Sequence, residues 1–176
     1  MRNAVLFVLV CAVALAFSGQ VVFAQGTKPG PEHEMLKELE GTWDAVVSFG
    51  GNEAKGIMKY KMGYGGLWLA GDFEGETFGQ PFHGRSMDGF DPARQKYVSV
   101  WFDSMATYPM TTEGTYDKEK KTMTMTGEGP GMDGKPTRFK TVTETKDKDT
   151  KVFTMYSVDK DGKEQQMMTI TYKRKG

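Results

Sequence analysis

The chain has almost no cysteine. Its one cysteine, Cys11, lies inside an N-terminal apolar run, so the rest of the sequence has no disulfide, thiolate nucleophile or cysteine metal site to build with. Charge of one sign is lacking too: 23 basic side chains balance 23 acidic ones. That balance gives no reason to expect nucleic acid or an anionic membrane as partner. The catalytic signatures that carry their own mechanism are also missing, with no Gly-x-Ser-x-Gly elbow and no His-Glu-x-x-His. No catalytic residue, cofactor or metal site is therefore assigned from the sequence.

What is present begins with an export signal. Arg2 supplies a short positive start, Ala4 to Phe17 an apolar run, and Val22-Phe23-Ala24 a small residue before a cut. A run of about 14 residues is shorter than the ~20 a membrane span needs, and Ser18, Gly19 and Gln20 end it. The expectation is a signal peptide over residues 1–24, cleaved after Ala24. The protein would then be secreted or periplasmic, with no transmembrane segment left. Residues 25–30 read as a flexible lead-in, and residues 31–176 as one domain, large enough to bury a core without disulfides.

That domain opens with a short helix. Pro31 suits its first position, Glu32 and Glu34 favour its N-terminal dipole, Met35, Leu36 and Leu39 form an apolar stripe, and Gly41 suits its C-terminal cap. From Thr42 onward the period is two, punctuated by Gly, Asp, Asn and Pro. Ten strands are predicted, roughly over Thr42–Phe49, Ala54–Met62, Leu67–Glu74, Phe82–Phe90, Lys96–Asp103, Met110–Asp117, Thr122–Gly127, Thr137–Thr145, Lys151–Val158 and Gln165–Arg174. Their connections are too short for parallel crossovers, so neighbours run antiparallel. Closing such a meander removes two bare edges, and Gly71, Gly84 and Gly114 permit the bends. The expected fold is all-β: a single antiparallel up-and-down β-barrel of about ten strands with one short N-terminal helix. A β-sandwich is the alternative.

Gly41-Thr42-Trp43 after the helix, with Tyr172-Lys173-Arg174 at the end, resembles the calycin superfamily of lipocalins and fatty-acid-binding proteins. That resemblance implies that Trp43 and Arg174 close one end of the barrel through a cation–π contact. Gly89-Phe90-Asp91-Pro92, Lys96-Tyr97-Val98 and Trp101-Phe102-Asp103-Ser104, taken with both ends, resemble the bacterial domain-of-unknown-function family numbered 1579, from about Pro31 to Lys175. Phe90 departs from the tyrosine more usual there. The family resemblance implies a calycin-like barrel and supplies no catalytic residues.

The strand around Trp101 is the centre of the functional reading. Tyr97, Ser99, Trp101 and Asp103 share one face, and Val98, Val100 and Phe102 the other. If the tryptophan face points inward, the barrel holds an aromatic wall with a buried acid, for which Arg85 is a candidate partner. If the aliphatic face points inward, the barrel is ordinarily packed. The candidate ligand-binding set is Trp68, Arg85, Tyr97, Trp101, Asp103 and Tyr172, suited to a small hydrophobic or amphipathic molecule.

His33 reads as solvated. His83 alternates with Arg85 and reads as a hydrogen-bonded strand histidine; the likeness of such a barrel to ten-stranded nitrobindin-type haem proteins raises iron ligation as a rival, on one histidine alone. Of the 13 methionines, Met123, Met125, Met167 and Met168 offer core filling, a soft pocket wall or a Cu(I) site. Gly129 to Gly134 spells a dinucleotide pattern without the helix it needs, and Asp159 to Gly162 starts a calcium loop whose later ligands are absent. Both read as turns. Two other function classes stay open: a small barrel enzyme using Asp103 with Arg85 or His83, and a packed envelope interaction protein without ligand.

Overall fold

A computed structural model describes residues 28–176; the expected signal peptide and the first residues of the lead-in lie outside them. Helix α1 (Pro31–Lys37) is followed by β1 (Gly41–Phe49), β2 (Asn52–Gly63), one 3-10 turn (Tyr64–Gly66), β3 (Trp68–Thr77), β4 (Gln80–Asp91) and β5 (Lys96–Asp103). The second half holds β6 (Met110–Asp117), β7 (Thr122–Pro130), β8 (Pro136–Asp147), β9 (Thr150–Val158) and β10 (Glu164–Arg174). Every strand pairs antiparallel with its sequence neighbours, and β1 pairs β10 from Trp43↔Arg174 to Phe49↔Met168, so the sheet is a closed ten-stranded barrel. The sandwich is excluded.

Turn chemistry enforces the meander. Gly50 and Gly51 (φ 57° and 81°) and the pair Phe78-Gly79 (φ 51° and 71°) make two-residue hairpin loops, the left-handed geometry that matches strand twist. Phe78 is a bulky residue in a region that disfavours a Cβ, and 61% of it is exposed. Its ring lies edge-on to Phe49, centroids 5.8 Å apart. Phe78→Asn should therefore raise stability by about 0.5–1 kcal/mol despite that lost contact, a gain that urea unfolding would register.

The helix ends earlier than its apolar stripe suggests: Glu38 is its C-cap, while Gly41 (φ 118°) opens β1 instead of capping α1. Its apolar side plugs one end of the barrel, where Leu36, Leu69 and Tyr97 are buried together and Met35 and Leu39 pack beside them. His33 is buried at 8% exposure, against the expectation of a solvated residue, because its Nδ1 accepts the Gly30 amide at 3.0 Å and its ring meets Phe90.

Glycines make room for large inward side chains. A Cβ on Gly84 would stand 2.1 Å from the Trp101 indole, and one on Gly71 2.7 Å from the Tyr60 ring. At Gly114 the limit is backbone, since a Cβ would meet the Thr124 carbonyl at 1.9 Å.

Candidate functional site

Alternation sends Trp43, Ala45 and Val47, Met58 and Tyr60, Phe73, Phe82, Ser86 and Asp88, Trp101, Phe139, Phe153, Ile170 and Tyr172 to the inside. They do not fill it. A cavity of about 1520 Å³ runs from the helix-plugged end to the opposite mouth. The middle wall is apolar and soft, with Met58, Met125, Met155 and Met168 among aromatic rings. A register shift between Gln166 and Met168 is a bulge in β10, and both Met167 and Met168 border the cavity. At the mouth, Phe78, Met105 and Met132 are exposed.

The Trp101 face is the inward one. Phe82 stacks on the Trp101 indole at 6.5 Å, and the indole N–H donates to Asp103 Oδ2 at 2.8 Å. Asp103 Oδ1 accepts the Met105 amide at 2.8 Å, so this carboxylate is satisfied without a cation. Arg85 is not its partner. Arg85 points outward from β4 and pairs with Asp72 at 2.6 Å on the exposed surface. Trp68 also faces outward, 37% exposed, with its ring over Gly89. His83 is exposed on the same outer face as Arg85 and does not border the cavity. These three fall on the odd or even phase opposite to Leu69, Phe82 and Ser86, and a period of two moves such residues to the other side.

Tyr97 lies inward but serves the plug: its hydroxyl donates to the Glu32 carbonyl at 3.1 Å, and burial pushes its pKa up to about 12. Trp43 is 1% exposed, its indole N–H donating to the Leu39 carbonyl at 2.9 Å. The Arg174 guanidinium lies 4.1 Å from the Trp43 ring centre and donates to the carbonyls of Glu40 and Glu38 at 2.5 and 2.8 Å. First strand, last strand and the segment after the helix are thereby tied at one point.

The floor of the cavity holds a polar group that sequence reasoning missed, apart from Tyr172. Ser86 donates to Asp88 at 2.7 Å, and Ser99 bonds the same carboxyl. Burial raises the Asp88 pKa in spite of those hydroxyls and of the Lys151 charge. Tyr60 and Tyr172 are both shifted up, by burial first and then by neighbouring charge. Lys151 is 3% exposed, and its Nζ lies 3.9 Å from the ring centre of Trp43, 4.8 Å from Tyr60 and 5.5 Å from Tyr172. Burial, then repulsion from Arg174, brings its pKa down to about 7, with Asp88 working in the opposite direction. The available signal was phase: Lys151 alternates with Phe153 and Met155, and Asp88 with Ser86 and Phe90.

Among the described residues no group of histidine, cysteine, aspartate or glutamate side chains could hold a metal ion, and no helix is long and apolar enough to cross a membrane. The look-alike motifs resolve as turns: Asp159 Oδ1 accepts the amides of Asp161 and Lys163, and Gly129 to Gly134 ends β7 and turns toward β8.

With this geometry in place, residues 28–174 match the family described as "Protein of unknown function (DUF1579)". The chain belongs to that family. No curated protein matches the sequence. Among solved structures, this DUF1579 barrel is similar to the crystal structure of Rv2717c from M. tuberculosis, with a TM-score of 0.62 at 13% identity, covering 84% of this chain and 99% of the other. A redesigned β-barrel matches at a TM-score of 0.44 and 14% identity, over 81% and 96% of the two chains. At such identities the first likeness speaks for the fold alone.

Proposed function

We propose that this protein is an exported binding protein for one small amphipathic molecule, held inside the barrel. The observation that carries the reading is the hollow interior of about 1520 Å³, apolar along its wall and polar at its floor. Ligand sites are concave, mostly apolar, and oriented by a few convergent polar groups. A ten-stranded barrel supplies that shape because its diameter grows with strand number beyond what side chains fill. The apolar body would lie along Trp101, Phe82, Phe153 and the methionines, and the polar head at Asp88, Lys151 and Tyr172. Trp43 and Arg174 close the end behind it.

Export rests on the first 24 residues, and mass spectrometry of the N-terminus of the mature protein would test it. For binding, the delipidated protein is titrated with fatty acids, sterols and retinoid-like probes. Trp101 borders the cavity, so a bound molecule is expected to change its fluorescence saturably at one equivalent; Trp68 outside contributes a constant background. A flat response across the panel, with no small molecule released from the purified protein on denaturation, would remove the reading.

A further inference from the structure

The groups around Lys151 set it apart from the other amines described. Its Nζ is enclosed by the rings of Trp43, Tyr60 and Tyr172 and forms no ion pair among the described residues. The second cation, Arg174, shares the Trp43 ring with it, the two charges 3.9 and 4.1 Å from one ring centre. Lys151 also borders the large cavity, so the amine sits where a ligand's inner end would arrive. Desolvation in an apolar pocket beside another cation is how proteins prepare a lysine as a nucleophile.

Resting on the cavity reading above, we propose that Lys151 captures the carbonyl group of a hydrophobic aldehyde or ketone as an imine at the floor of the barrel. The neutral amine attacks the carbonyl carbon; a C–N bond forms and one N–H proton passes to the carbonyl oxygen, giving a carbinolamine. The hydroxyl then leaves with the second N–H proton as water, and a C=N bond joins ligand and lysine. Aldehyde and amine give imine and water, with no oxidant or reductant required. The flanking rings favour the protonated imine, which keeps the positive charge they already face.

The pH dependence follows from the groups on every side. Tyr60 on β2, Asp88 on β4, and Tyr172 and Arg174 on β10 act from within the barrel. Glu38, Tyr116, Asp147 and Lys148 border a small cleft of about 180 Å³ that Lys151 also lines. Burial first, then repulsion from Arg174, set against the attraction of Asp88, leaves the amine half neutral near pH 7, whereas an ordinary exposed lysine reaches that point near pH ~10.4.

The test uses the purified full chain with dodecanal and sodium cyanoborohydride, which reduces the imine to a stable secondary amine, followed by peptide mass mapping. Dodecanol, which cannot form an imine, is titrated in parallel by tryptophan fluorescence. The expected result is one adduct per chain, on Lys151, at roughly a thousandfold the yield of any exposed lysine at pH 7, as their neutral fractions dictate. Yield should rise through about pH 7, and Lys151→Arg and Lys151→Met, each checked as folded by far-UV circular dichroism, should lose the adduct. Adducts spread over exposed lysines, or a yield climbing only above about pH 9 as ordinary amines do, would overturn imine capture while dodecanol binding upholds the cavity. Failure of both ligands to bind would overturn the two together.

Discussion

Replacing Lys151 by methionine is expected to stabilise the barrel by about 2–4 kcal/mol at pH 7 and below. The lysine's pKa falls from its ordinary value to about 7 on folding, chiefly through burial. A lysine whose folded pKa is depressed costs stability wherever the unfolded chain holds the proton that the folded chain resists. Below about pH 7 both states bind the proton, and the full cost is present. Between about pH 7 and ~10.4 only the unfolded state binds it, so stability climbs with pH across that window. Lys151→Met should flatten the climb, and urea unfolding at several pH values would show it. The cation–π contacts with Trp43 and Tyr60 are lost in the variant, and Asp88 loses the charge that lowers its pKa. Both offsets are smaller than the desolvation of an ammonium group, which places the gain near the middle of that range. An unchanged or lowered stability, or a climb that persists, would show that the floor solvates its lysine. A residue kept at this cost is one whose removal should be felt in binding.

Trp43→Ala is expected to cost about 3–5 kcal/mol. The ring is 1% exposed and fills the closed end of the barrel, touched by Lys151 and Arg174. Its loss leaves a void between two cations and strands the Leu39 carbonyl that its N–H satisfied. Arg174 would keep its bonds to the Glu38 and Glu40 carbonyls, so the strands should remain registered while the end cap loosens. Calorimetry should show a lowered melting temperature with far-UV circular dichroism preserved at 25 °C. A drop of less than about 1 kcal/mol would mean that packing elsewhere closes the barrel.

Much of the architecture was legible because it is local. Ten runs of period two joined by four-to-nine-residue connections rich in Gly, Asp and Asn allow few arrangements besides an antiparallel meander, and edge avoidance closes it. The site was legible only in part. The Trp101 strand offered two faces of comparable hydrophobicity, with Tyr97, Trp101 and Asp103 against Val98, Val100 and Phe102. Its period left both directions open. Trp68 and Arg85 drew attention as an aromatic and a cation, yet they sit on the outward phase. Lys151 drew none, because a lysine in a strand is ordinarily solvated.

By itself the amino-acid sequence determined the strands, their antiparallel order, the helix ahead of them and the aromatic and methionine content of one barrel. Those follow from periodicity and turn chemistry, which act over a few residues. Which face turned inward, whether the interior stayed hollow, and which charges met at the floor were decided by tertiary structure alone. Lys151, Asp88 and Arg174 belong to different strands, and their effects on one another exist only once closure has brought β4, β9 and β10 around a common space with little water to screen them.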